Sequence, residues 1–218
     1  MNIDLDCIMD EGVTSDTDIN TSVIISDEDK YELKSDASPY ILQLRDVDCV
    51  DEKNYKKFVG SCKRMIRMSP EYKLWTDYLR EVLGFYSCSI TGEVNSQTTV
   101  EIHHHPIPME VIIKGVLNRR MGSKTGFCSF DIITEVIELH FKNHIGYIPI
   151  VSSLHEKFHN GFLDIPMEMV NGNYKKYLEQ FGTFLEDDDL STIQERISIT
   201  KQSCGWNHDY GWVKNVND

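Results

Sequence analysis

The sequence predicts an α+β fold that is mostly helical, and three observations carry that expectation. Apolar residues recur at helical spacing over most of the chain, at 52–68, 70–83, 109–121, 129–144, 174–185 and 190–197. Runs of β-branched and aromatic residues near 85–105 and 145–151 read as short strands. The first 36 residues are too poor in apolar mass to fold alone, with eleven acids against Lys30 and Lys34. The expected organisation is therefore an acidic, flexible arm over 1–36 and a single globular domain over 37–218.

Composition narrows the class. With 40% hydrophobic and 26% charged residues the chain resembles ordinary globular proteins, and no uninterrupted apolar run reaches the length of a membrane span. The start, MNIDLDCIMDEG, places acid where a secretory signal would place basic residues, so a cytoplasmic location without membrane contact is expected. The six cysteines form no CxxC pair or tight repeat and read as reduced thiols. The net charge of −13 is concentrated in the arm, which holds −9 and leaves −4 for the rest.

Taken in order, Tyr55, Val59, Cys62 and Ile66 form the apolar side of a first helix. Its other side is basic through Lys53, Lys56, Lys57, Lys63, Arg64 and Arg67. Ser69-Pro70 starts a second helix, with Leu74, Trp75, Tyr78, Leu79, Val82 and Leu83 as its expected buried stripe and Gly84 as its end. The stretch FYSCSITGEVNSQTTVEIHHHP reads as two strands around a turn, with three histidines closing the second. Helices follow at Met109–Met121 and at Ser129–His144, the latter with Phe130, Ile133, Ile137 and Phe141 on one side, and Ile145–Val151 is strand-like. Ser152 or Ser153 is the expected cap of a short helix that Asn160-Gly161 stops. His140 reads as a packed core histidine.

His155 and His159 are four apart on that short helix, so their rings leave one face a turn apart and can share a metal ion. His103, His104 and His105 close a strand, where neighbours point to opposite sides. One of them can complete the metal shell while the next faces a reacting phosphate. Such a set suits phosphodiester hydrolysis, in which a divalent ion stabilises the leaving oxygen and a neutral imidazole deprotonates water.

The pieces Glu101-Ile102-His103-His104, then Pro106, then IGYIPIVSSLHEKFHNG from Ile145 to Gly161, resemble the HNH (ββα-metal) endonuclease family. The likeness is to its phage and bacteriocin branch, with a His-His pair and a His-x3-His helix, and it covers about 86–161. It implies a ββα-metal core inside the helical domain, a phage-encoded DNA endonuclease acting in the host cytoplasm, and one divalent ion, Mg²⁺, Zn²⁺, Mn²⁺ or Ni²⁺. By that likeness His103, His155 and His159 are metal ligands and His104 is the general base. The triple histidine leaves a second register open, with His104 and His105 as ligand and base. The family's orienting Asn is replaced by Gly146, with Asn143 and His144 as neighbouring substitutes and His105 as further support. The structural CxxC pairs of many members are absent from the sequence.

Two dense supplies of positive charge are candidates for gripping DNA: Lys56, Lys57, Lys63, Arg64 and Arg67, and Lys114, Arg119, Arg120 and Lys124. The acidic arm is a candidate for engaging a protein partner or for covering that basic surface. Two other readings stand beside the nuclease. One is an inactive scaffold that binds host or phage machinery; the other takes His155 to His159 as an H-E-x-x-H zinc protease motif with Glu156 as base. The early stop of the helix and the unused His103-His104 weigh against the protease.

Overall fold

The computed structural model describes residues 51–92, 99–123 and 126–203; the acidic arm and Lys124 lie outside the described residues. The architecture is α+β and mostly helical, with one antiparallel two-stranded sheet among the described residues. Helices α1 (Glu52–Met68) and α2 (Pro70–Glu81) precede strand β1 (Val100–His104). Helices α3 (Met109–Gly122) and α4 (Ser129–Phe141) come next, then β2 (Tyr147–Val151) and α5 (Ser152–His159). Helices α6 (Tyr174–Phe181) and α7 (Asp187–Ser198) complete the order.

Local chemistry explains the helix starts. Asp51 caps α1 by accepting from the Lys53 and Asn54 amides at 2.8 and 3.4 Å. Ser69 caps α2 by accepting from the Tyr72 amide at 3.1 Å, with Pro70 in the first turn as the sequence suggests. The main core joins α1, α2, α3, α4, α6 and α7 through residues such as Phe58, Ile66, Trp75, Ile112, Leu117, Val136, Tyr177 and Ile193. Tyr177 fixes α6 on α3, its hydroxyl donating to Val111 O at 2.9 Å and Ile112 O at 3.1 Å. A smaller core of Cys88, Ile90, Ile148, Ile150, Leu154 and Leu163 lies between β2, α5 and the loops beside them.

Several expectations are corrected. β1 does not pair with a strand at 85–90; those residues form turns, joined to β2 by Ser89 N donating to Pro149 O at 2.9 Å. The partner of β1 is β2, in the register His103 opposite Ile148 and His104 opposite Tyr147. In α2 only Trp75 and Leu79 of the expected stripe are buried, while Leu74, Tyr78, Val82 and Leu83 are exposed. In α4 the buried line is Ile132, Ile133, Val136, Leu139 and His140, and Phe130 and Phe141 are exposed. The cap of α5 is Val151; Ser152 instead points its hydroxyl at Glu101 Oε1, 2.8 Å away.

Candidate metal site

β1 and α5 place three histidines together. His103 sits one residue before the end of β1, and His155 and His159 rise from successive turns of α5, which starts directly after β2. One nitrogen from each ring lies within 4.8 Å of the others. The His103 ring is 4.7 Å from that of His155 and 5.4 Å from that of His159, centre to centre. These are the residues the sequence proposes as ligands.

The protons in the site can be assigned from its partners. Glu101 Oε2 lies 2.6 Å from His155 Nδ1, so that nitrogen donates and the lone pair of His155 is on Nε2. His159 Nε2 lies 2.8 Å from this atom. Two imidazole nitrogens on one tetrahedral zinc are about 3.4 Å apart by the usual bond lengths, so a small adjustment would seat both. The buried Nε2 of His103 has no hydrogen-bond partner, which is costly for a polar atom unless something else engages it. A divalent cation fits this donor set: an orphaned imidazole, a second imidazole oriented by a carboxylate, and a third beside it.

The electrostatics agree with such use. Burial, then the neighbouring His155, His105 and His159 and Arg196, hold His103 far below the usual histidine range and therefore neutral. His159 is lowered by partial burial first and then by His155, Lys63, Arg196 and Arg67. Burial would raise the Glu101 carboxyl, but the hydrogen bonds from Ser152 and His155 outweigh it and keep the group below its ordinary value.

His104 is not at this site. As the next residue in the strand it faces the other side, where it is buried against Tyr72, Trp75 and His140. The expectation of His104 as a base facing substrate is therefore corrected, and the register using His104 as ligand falls with it. His105 returns to the side of His103, fully buried beside Phe158, and burial lowers it to about 3. Asn143 and His144 do not support the site: Asn143 accepts from the Tyr147 hydroxyl at 3.1 Å, and His144 lies 3.3 Å from Gln180 Nε2. Gly146 has no room for the motif Asn, because an added Cβ would collide with the His105 carbonyl oxygen.

The basic candidates divide. Lys63 and Arg67 are close enough to act on His159, Lys63 also lying 3.9 Å from Glu110 Oε2 in a loose, exposed pair, whereas Arg64 lines an apolar groove with Met65, Phe130 and Ile137. Lys56 pairs with Glu52, and Lys57 is exposed. The second cluster is corrected: Lys114 is bound to Asp189 at 2.9 Å, and Arg119 and Arg120 both hold Glu135. Two residues escaped the sequence reading as site groups. Glu101 braces His155, and Arg196 reaches across from α7 to donate to Pro106 O at 3.1 Å while lying 5.5 Å over the Phe158 ring. The i, i+2 spacing of Glu101 and His103 on β1 is the one signal that could have found the first.

Among the described residues no helix is long and apolar enough to cross a membrane. Searches of curated proteins and of solved structures give no match. A family model matches residues 9–210, nearly the whole chain, and on that match the chain belongs to the bacteriophage G278-like virion protein family.

Proposed function

We propose that this phage protein is a metal-dependent endonuclease that hydrolyses DNA phosphodiester bonds. One observation carries the reading: three histidine rings converge from the end of β1 and from α5 directly after β2, the order of parts that a ββα-metal (HNH) core would have. His103, His155 and His159 would hold one divalent ion, with Zn²⁺ or Ni²⁺ favoured by three imidazoles and Mg²⁺ or Mn²⁺ usable when water completes the shell. When bound, the ion would polarise the scissile phosphate and stabilise charge on the leaving oxygen.

The chain's own groups supply the rest. Glu101 keeps His155 in the tautomer that leaves Nε2 free. Lys63, Arg67 and Arg196 form the positive surround that holds a phosphate near the triad. With His104 turned into the core, the proton of the attacking water passes to Glu101, an ionised, partly exposed carboxylate already oriented by Ser152. The protease reading leaves this brace unused and needs Glu156, which is exposed on a helix that ends at His159.

The test is nicking of supercoiled plasmid by metal-stripped protein with Mg²⁺, Mn²⁺, Ni²⁺ or Zn²⁺ restored. Cleavage should be lost in His155→Ala and His103→Ala and retained in Glu156→Ala. A tightly bound ion without cleavage under any metal would defeat the nuclease. That result would support a second reading, a virion component whose metal staples β1 to α5 and whose surface binds other machinery, which the burial of His104 and the virion family favour.

A further inference from the structure

Beside the triad lies an open cleft of about 580 Å³, lined by the triad's His155 and by Glu101, which braces it. Its opposite wall is the end of α1 and the exposed side of α2, which bring Arg67, Lys73 and Arg80 to the lining. Glu101 is the one carboxylate in that lining, and Ser152 and His155 already hold it. In a chain of charge −13 this local excess of cations is a marked exception. No ion pair to Arg67 is found among the described residues, and Arg80 uses one guanidinium nitrogen on Val100 O at 3.4 Å, leaving further donors. Lys73 pairs with Asp77, but its side chain is 77% exposed, so that bond competes weakly with a phosphate. Between the cations the surface is largely apolar, formed by Met68, Pro70, Tyr72 and Ile102, with the small polar side chains of Ser69 and Thr76 among them.

We propose that this cleft binds a single-stranded segment of nucleic acid, with phosphates on Arg67, Lys73 and Arg80 and bases on the apolar surface between them. A duplex presents phosphates and keeps its base faces stacked inside, so it has no use for an apolar floor. An unpaired strand offers both, and cations alternating with apolar surface are how sequence-tolerant single-strand sites are built. The α3 cluster cannot provide the same grip, because Lys114, Arg119 and Arg120 are bound to carboxylates. The inference rests on the nuclease reading only for where the strand leads; the binding itself stands on the cleft.

The experiment measures anisotropy of a fluorescein-labelled oligodeoxynucleotide of about 12 nucleotides, a typical single-strand site size, with full-length protein in EDTA. The single strand should bind at least about tenfold more tightly than the matching duplex. The triple variant Arg67→Ala, Lys73→Ala, Arg80→Ala should lose about that factor and flatten the salt dependence by about 2 in log–log slope, as three lost phosphate contacts require. Lys73→Glu alone, at an exposed position, should also weaken binding and guards against a folding defect in the triple variant. Equal or tighter duplex binding, no binding of the oligonucleotide, or unchanged affinity in both variants would overturn the proposal. Tight single-strand binding without cleavage when metal is restored would defeat the nuclease and leave the cleft assignment standing.

Discussion

His103 and His104 are neighbours on β1 with rings on opposite sides of the sheet, one in the histidine triad and the other 2.9 Å from His140 Nε2. His140 Nδ1 donates to Val136 O at 2.7 Å, so its Nε2 accepts and His104 Nε2 carries the proton between them. This bond is buried, and removing one partner leaves a polar atom unsatisfied. His140→Leu should therefore destabilise the fold by about 1–3 kcal/mol. Adding His104→Leu should recover part of that loss, because no orphan then remains. Urea unfolding of the two variants measures this. Calorimetric Zn²⁺ titration should show the double variant binding metal as the parent does, and a lost site there would place His104 among the ligands after all.

In the proposed site Glu101 would act on the metal through His155, whose Nδ1 lies 2.6 Å from its Oε2. Glu101→Gln keeps the side-chain shape but loses the charge that holds His155 Nδ1–H. Loss of such a brace costs about 10- to 100-fold in metal affinity. The expected outcome is a drop of that size in Zn²⁺ or Ni²⁺ affinity with little change in melting temperature. An unchanged affinity would mean that the hydrogen bond is incidental.

Gly146 stands where the resemblance to HNH nucleases leads one to expect an Asn, and introducing that residue should harm the protein. A Cβ there would strike the His105 carbonyl oxygen, in the same stretch where His105 N donates to Gly146 O at 3.1 Å. Backbone has little freedom to move aside, so Gly146→Ala and Gly146→Asn should both destabilise, by upwards of about 2 kcal/mol. Thermal unfolding checks it. A stable, more active Gly146→Asn would show that the two strand ends can part.

The convergence of the three histidines was legible because its signal is local: His155 and His159 share a helix face by spacing alone, and the strand end marks the histidine cluster. The partner of β1 was not, because pairing Val100–His104 with a segment some forty residues on depends on how α3 and α4 pack in between. The side on which His104 lies was equally hidden. Strand alternation says that it opposes His103, but only the aromatic wall of Tyr72 and Trp75 decides which side is core. The basic cluster on α3 misled for a related reason, since Glu135 and Asp189 come from other helices. Leu74, Tyr78 and Val82 show the limit of periodicity, which identifies an apolar stripe without saying whether anything covers it.

Acid should weaken the fold through the buried histidine pair. Burial lowers His140 to about 4 and holds His104 well below its ordinary value, so both stay neutral in the folded protein at pH values where the unfolded chain is protonated. A depressed histidine contributes its full stability above the unfolded value of about 6.5 and loses it as pH falls toward the folded value. For His140 the window is therefore about pH 6.5 down to 4, with a cost of roughly 1.4 kcal/mol per pH unit inside it. Melting temperatures between about pH 7 and pH 5 should fall in the parent protein and fall less steeply in the His104→Leu, His140→Leu double variant. Equal slopes in the two proteins would assign the acid sensitivity to other groups, the histidines around the triad first among them.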